Sequence, residues 1–111
     1  MASTFKYVQG DTGPQLKVVL TNESDNSAID LTGASVTLHF RQAGEATLLF
    51  SRVFTIDSNT AANGEAVLQW ATGDLDRDAG AYEGEIEVVK ASGVRETIYD
   101  KLKFKLREDF G

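Results

Sequence analysis

The sequence predicts an all-β protein, and three observations support that fold class. Apolar and polar residues alternate with a period of two along several segments, the pattern of strands that bury one face. Turn-forming residues separate these segments at intervals of roughly ten residues, a spacing typical of antiparallel sandwiches and barrels. No segment has the roughly 3.6-residue periodicity of an amphipathic helix. We therefore expect one β-domain spanning residues 1–111, with no internal repeat or linker.

Three strands are predicted in the first half of the chain. In the first, Leu16, Val18 and Leu20 share one face, and the short polar residues from Asn22 to Ser27 then predict a turn. The second strand has an inward and an outward face, which hold respectively Val36, Leu38 and Phe40, and Thr37, His39 and Arg41. A third strand, from Leu48 to Ile56, does not alternate cleanly, which indicates a bulge or burial on both faces.

The second half begins with a strand that places Ala66, Leu68 and Trp70 on one face. Residues from Thr72 to Asp78 predict one short turn with Thr72 as its cap. Two clear strands follow. In the first, one face holds Tyr82, Gly84, Ile86 and Val88, and the other holds Glu83, Glu85, Glu87 and Val89. In the second, one face holds Leu102, Phe104 and Leu106, and the other holds Lys101, Lys103, Lys105 and Arg107.

The charges of these last two strands predict their register. Acidic residues fill the alternate positions of one strand and basic residues those of the other. A hairpin about Gly93 in which the numbers of paired residues sum to 186 makes Glu83 face Lys103, Glu85 face Lys101 and Tyr82 face Phe104. Exposed cross-strand ion pairs contribute only about 0.2–1 kcal/mol each, so their main effect is to disfavour a slipped register.

Composition excludes several classes of protein. The chain has 111 residues, 11 Lys and Arg against 17 Asp and Glu, a formal net charge of −6, and no Cys. The acidic balance argues against nucleic acid as a partner, because neutralising phosphates requires clustered Lys and Arg. The lack of Cys excludes disulfides, thiolate metal sites and cysteine nucleophiles. No segment resembles a signal peptide or has the roughly 18 apolar residues of a membrane span, so we expect synthesis in the cytoplasm and no membrane partner.

The tripeptide Asp11-Thr12-Gly13 matches the one in which aspartic proteases place their catalytic carboxylate, and a dimer could pair two of them. Such a site needs an apolar strand before it and a small residue after it, whereas Gln9-Gly10 precede and Pro14 follows. The glycines and the proline instead favour a turn.

The acidic residues Asp74, Asp76 and Asp78 have the alternate spacing of a calcium loop, and Glu85 falls at its twelfth position. Ala79 occupies the sixth position, where that loop needs Gly, and residues 81–88 already form a predicted strand. We expect a solvated acidic turn, with calcium binding left open as the alternative.

The chain has a single histidine and a single tryptophan. A Ser-His-Asp triad or a histidine metal site would depend on His39, which the alternation places on the solvent-facing side of its strand. Trp70 suits a sugar-stacking platform, but it shares the face of Leu68, which favours a place in the core. We therefore expect no catalytic, cofactor-binding or metal-ligating residue and no cofactor.

The segment Asp78-Ala79-Gly80-Ala81-Tyr82 resembles the tyrosine corner of immunoglobulin-like (Ig-like) domains, in which the tyrosine hydroxyl bonds back to the preceding backbone. Gly84 stands two residues later, where antibody domains have a cysteine, so packing alone must hold the sheets together. With the strand count and the terminal hairpin, this motif implies an Ig-like antiparallel β-sandwich of about seven strands.

Five segments carry a second resemblance, which covers almost the whole chain: Phe5 to Pro14, Asp30 to Thr37, Gly64 to Trp70, Asp78 to Tyr82 and Lys101 to Phe104. In order and spacing they are similar to the N-terminal domain of tailed-phage baseplate upper proteins. The resemblance implies a non-enzymatic structural protein of the virion, a tail or baseplate module that docks to other virion proteins and supports receptor-binding components. It also implies self-association into a homo-oligomer. The chain ends at Gly111 without the family's downstream parts, so we expect a small standalone adaptor or decoration protein.

The alternatives to this role are a capsid decoration protein and an Ig-like module for carbohydrate binding or host adhesion. For the assembly role, the expected contact surfaces lie at strand ends, in Phe5 to Pro14 and in the loops 42–46 and 57–64. Sandwiches of this kind place function in edge strands and end loops rather than in a pocket.

Overall fold

The computed structural model describes residues 4–22, 24–98 and 101–110, whose strands lie in two β-sheets. The strands are β1 (Thr4–Val8), β2 (Leu16–Val19), β3 (Ser35–Gln42), β4 (Leu48–Val53), β5 (Glu65–Leu68), β6 (Gly80–Val89), β7 (Arg95–Thr97) and β8 (Leu102–Arg107). A short 3-10 helix, Ala61–Asn63, precedes β5. In this part of the chain, no helix has the length and apolarity needed to cross a membrane.

The larger sheet has the order β1-β8-β6-β3-β4, and β7 pairs with β6. The smaller sheet consists of β2 and β5, and a bridge from Thr55 to Val67 connects it to the chain leaving β4. The sandwich predicted from the alternation is confirmed, with eight strands in the described residues instead of about seven. One ladder differs from the antiparallel expectation, because β1 runs parallel to β8.

The predicted inward faces form one core between the sheets. Leu102, also predicted to face inward, is only partly buried against this core. The other predicted side chains are at most 7 % exposed: Leu16, Val18, Leu20, Val36, Leu38, Phe40, Ala66, Leu68, Trp70, Tyr82, Ile86, Val88, Phe104 and Leu106. Tyr7 from β1 and Leu75 from the connection before β6 also lie in this core, although neither was predicted there. Burial of this continuous apolar layer, at about 25 cal/mol for each Å² removed from water, is the main stabilising contribution in a chain without disulfides.

The register predicted for the last two long strands is confirmed between β6 and β8. Glu83 lies opposite Lys103 and Tyr82 opposite Phe104. The ladder stops at Gly84 and Leu102, so the predicted rung between Glu85 and Lys101 is not part of it. Nearer the turn, β6 pairs with β7 instead, in a register in which the numbers of paired residues sum to 184.

The irregular third strand contains the predicted bulge. Phe40 pairs with Phe50 but Arg41 pairs with Leu48, which leaves Leu49 as the extra residue of β4. The strand also ends earlier than predicted, at Val53, because the following residues turn from the larger sheet to the smaller one.

The tyrosine corner is present, since the Tyr82 hydroxyl donates a 2.7 Å hydrogen bond to the Asp78 carbonyl. The order β8-β6-β3-β4, facing β2 and β5, matches the arrangement of strands G, F, C and C′ facing B and E in Ig domains. Gly84 therefore occupies the position of the F-strand cysteine, and Leu38 and Phe104 fill the space beside it. The fold is an Ig-like β-sandwich.

Candidate functional site

The protease-like tripeptide lies in an exposed loop. The Asp11 N–H donates to the Val8 carbonyl at 3.2 Å, and the Gly10 N–H donates to the Leu75 carbonyl at 2.9 Å. These bonds hold the loop after β1 against the connection that precedes β6. The turn favoured by the glycines and proline is the observed structure.

The acidic turn exposes Asp76 and Asp78, as expected of a solvated segment, but Asp74 is only 5 % exposed. Its carboxylate accepts hydrogen bonds from Nε and a terminal nitrogen of Arg52 and from the Ala71 N–H. The Arg77 side chain donates to the Asp74 carbonyl at 3.0 Å. Asp74 is therefore the polar centre of this connection, and it organises the turn in place of the predicted Thr72 cap.

These contacts leave the calcium interpretation without a matching geometry. Glu85 lies on the exposed outer face of β6, while Asp74 is bound to Arg52 at the edge of the core. Within the described ranges, no three His, Asp or Glu side chains gather closely enough to hold a metal ion.

His39 lies on the outer face of β3, as predicted, but it is only partly exposed. Its ring nitrogens lie 2.7 Å from Ser51 Oγ and 3.3 Å from a carboxylate oxygen of Glu87. Glu87 also forms an ion pair with Arg95 at 3.1 Å. His39 therefore belongs to a row of polar contacts across β4, β3 and β6.

Trp70 lies in the core, with 2 % of its surface exposed, which confirms the structural interpretation over the sugar platform. Its ring meets those of Tyr7, Phe40 and Phe104 edge to face, with centroids 5.3–5.9 Å apart. Burial raises the pKa of the Tyr7 hydroxyl, an effect that the neighbouring Trp70 indole opposes. The indole nitrogen makes no hydrogen bond of acceptable geometry with the described residues.

The outer face of the larger sheet carries charges that are paired differently from the predicted ladder. Glu83 forms ion pairs with Arg41 at 2.6 Å and Lys101 at 3.7 Å, not with Lys103. Burial favours a higher pKa for Glu83, but the hydrogen bond and charge of Arg41 and the charge of Lys101 outweigh it and place the pKa below its ordinary value. Lys101, predicted to meet Glu85, instead reaches Glu83.

A groove of about 250 Å³ crosses this outer face. Its lining is polar apart from Leu48 and Gly84, and consists of His39, Arg41, Leu48, Glu83, Gly84, Glu85 and Lys101. The positive charges of Arg41 and Lys101 balance the negative charges of Glu83 and Glu85 in this lining, so the groove presents little net charge to a ligand.

The edge strand β4 exposes three large apolar side chains that the alternation pattern does not predict. Val53 is 64 % exposed, Leu48 49 % and Leu49 38 %. Exposed apolar side chains on an edge strand are unfavourable unless another surface covers them. We call these three residues the apolar edge.

The three predicted contact segments do not form one surface. The loops 9–14 and 42–46 lie at the end of the sandwich where β6 begins, as shown by hydrogen bonds from Gly10 to Leu75 and from Ala43 to Ala81. The loop 57–64 lies at the opposite end, where Leu20 bonds to Gly64. Residues 5–8, predicted as a strand end, are part of β1 itself.

Comparison with known proteins agrees with the class of protein that the strand order defines, an Ig-like β-sandwich. Among solved structures, the chain is similar to CopC from Methylosinus trichosporium OB3b, with a TM-score of 0.54 and 10% sequence identity over 97% of this chain and 87% of that one. At this identity the likeness supports the shared fold alone. No protein-family model and no curated protein matches the sequence.

Proposed function

We propose that this chain is a non-enzymatic structural module of a phage virion, which docks to other tail or baseplate proteins and supports receptor-binding components. Its final location is then the virion, after synthesis in the host cytoplasm. The phage setting rests on the resemblance of the five sequence segments described above. The mode of action, docking through sheet edges and end loops, rests on the surface of the sandwich.

The observation that carries the docking role is the apolar edge of β4. Leu48, Leu49 and Val53 lie on a strand that has β3 on one side only. The residues that suggested other activities have structural partners instead: Trp70 is sealed in the core, Asp74 is bound by Arg52, and His39 lies between Ser51 and Glu87. An assembly module needs an edge strand that a partner can cover more than it needs a catalytic or ligand-binding site. β4 is such an edge strand.

The proposal is tested by co-expressing the tagged chain with the products of its neighbouring reading frames and quantifying their co-purification. Val53→Lys places a charge on the apolar edge, and we expect it to reduce recovery of the partner about tenfold. Val94→Lys is the matched control, because Val94 is 52 % exposed but lies in the turn between β6 and β7.

Equal recovery with Val53→Lys and Val94→Lys would overturn the role of the apolar edge. Neighbouring frames that encode no tail, baseplate or capsid protein would overturn the virion assignment. Thermal unfolding of both variants controls for folding, and we expect both melting temperatures to stay close to that of the wild type, because the two substituted side chains are exposed.

A further inference from the structure

The opposite edge of the larger sheet carries a group of exposed basic side chains, here called the basic edge: Lys6 on β1, and Lys103, Lys105 and Arg107 on β8. This group stands out in a chain whose net charge is −6. Among the residues that the structure describes, none of the four has an acidic partner within ion-pair distance; Glu83, which lies opposite Lys103, binds Arg41 and Lys101 instead.

The register brings like charges side by side along this edge. In the parallel ladder, Lys6 is the partner of Lys105, and Val8 is the partner of Arg107. Like charges directly opposite each other destabilise a sheet, and a bound anion would relieve that repulsion. A groove of about 490 Å³ runs along the same place, lined by Lys6, Tyr7, Val8, Lys105 and Arg107.

The backbone of β1 is open along its outer side. The Gln9 N–H donates to the Arg107 carbonyl at 3.0 Å, which shows that the odd-numbered residues of this segment direct their backbone groups toward β8. Backbone groups alternate between the two sides of a strand, so Lys6 directs its N–H and carbonyl, and Val8 its N–H, toward the free edge. No strand in the described residues pairs with β1 on that side.

Protection of the edge strand against pairing with other chains explains only part of the basic edge. A lysine on an edge strand, such as Lys6, does discourage self-association. The other three cations lie on β8, which is flanked by β1 and β6 and needs no such protection. Lys103 faces Glu83 in the β6–β8 ladder, but Lys105 faces Ala81 and Arg107 lies beyond that ladder. An acidic partner accounts for the position of Lys105 and Arg107 beside the open strand.

We propose that the basic edge binds an extended acidic segment of a partner protein, which adds to β1 as a further strand. The added backbone pairs with the free groups of Lys6 and Val8, and its carboxylates meet Lys6, Lys105 and Arg107. The chain's net negative charge does not prevent this, since exposed charges are screened beyond about 8–10 Å and the molecule is 44 Å long. The inference rests on the proposed function, because it specifies the chemistry of a docking partner.

The experiment is a titration of the ¹⁵N-labelled full chain with a synthetic seven-residue peptide in which Glu alternates with Thr or Val. We expect amide shifts confined to β1 and β8, with protection of the Lys6 and Val8 amides from hydrogen exchange. Binding should weaken as salt is raised from about 50 to 300 mM, because the ion pairs are exposed.

Two neutral double variants provide the matched comparison. Lys6→Gln with Lys105→Gln removes two charges from the basic edge, and we expect about tenfold weaker binding. Lys17→Gln with Lys90→Gln makes the same change in net charge on β2 and beside the β6–β7 turn, and binding should be unchanged. Lys6→Pro also removes the outward N–H, so it should weaken binding more than Lys6→Gln alone.

Absence of binding at millimolar peptide, or equal loss in both double variants, would overturn the proposal. So would tighter binding of a single-stranded oligonucleotide of the same charge, which would make the edge a polyanion site. Such results would leave the apolar edge and the co-purification test untouched, so a failure of this inference is distinguishable from a failure of the proposed function.

Discussion

Replacement of Gly84 by alanine tests how closely the two sheets are packed where antibody domains place a cysteine. A Cβ at this position would lie 2.6 Å from Leu38 Cδ1 and 3.0 Å from Phe104 Cε2. Favourable contacts between carbon atoms lie at about 3.5–4.0 Å, so one or both neighbours must move. Leu38 is fully buried and Phe104 is 2 % exposed, which leaves little room for that movement.

Overpacking of this kind costs about 1–3 kcal/mol. Loss of a glycine also makes the unfolded chain less flexible, which stabilises the folded state by about 0.4–1 kcal/mol. We therefore expect the free energy of unfolding to fall by about 1–2 kcal/mol in total. For a domain of this size, each kcal/mol lowers the melting temperature by about 4 °C. Urea unfolding followed by Trp70 fluorescence measures the free energy, since the indole is buried in the core.

A double-mutant cycle identifies the cause of the loss. Leu38→Ala alone should cost about 2–5 kcal/mol, but in the Gly84→Ala background it should cost at least about 1 kcal/mol less, because it removes the obstructing atoms. Leu68→Ala, in the smaller sheet, is the control and should be additive with Gly84→Ala. Additivity with Leu38→Ala, or a Gly84→Ala protein as stable as the wild type, would refute the reasoning.

Three further predictions concern polar contacts, each measured by urea unfolding. Tyr82→Phe removes the hydrogen bond of the tyrosine corner and should cost about 1 kcal/mol; unchanged stability would contradict its structural role. Arg52→Ala leaves the buried Asp74 carboxylate without its bidentate partner and should cost about 1–3 kcal/mol of stability. Arg52→Lys should restore only part of that stability, because a lysine does not make the bidentate contact. Full restoration would show that a positive charge alone is enough to stabilise Asp74. The pKa of Glu83 lies below its ordinary value of 4.5, so its stabilising contribution is present above that pH and is lost as pH falls through the lower folded value. The free energy of unfolding of Glu83→Gln should therefore fall less at acidic pH than that of the wild type. An identical fall in both proteins would contradict the assignment.

Local patterns predicted most of the fold. The alternation in β3 and β6 predicted their buried faces, and the opposite charges of β6 and β8 predicted the register of that pair, although Glu83 forms its ion pairs with Arg41 and Lys101. The fold class was predictable because each of these strands is long enough to show a clear two-residue alternation of apolar and polar side chains. The broken alternation in β4 left a bulge and burial on both faces as alternatives, and the extra Leu49 identifies the bulge.

Features that depend on distant residues were not predictable in the same way. β1 has only two inward side chains, Phe5 and Tyr7, and its partner β8 is almost a full chain length away. The Arg52–Asp74 pair joins a residue of β4 to one in the connection before β6, and nothing in the composition of either segment distinguishes these residues from solvated charges. An exposed edge such as β4 is a property of sheet order, which alternation alone does not specify.

The parallel pairing of β1 and β8 gives the domain a definite response to tension. The first and the last described strands lie side by side and point the same way, so the amino end of β1 and the carboxyl end of β8 lie at opposite ends of one ladder. A pull between those ends slides the strands along each other and strains all the hydrogen bonds of the ladder together instead of opening them one at a time. A module linked at both ends within a larger particle would therefore resist stretching through its backbone, independently of any side chain on its surface.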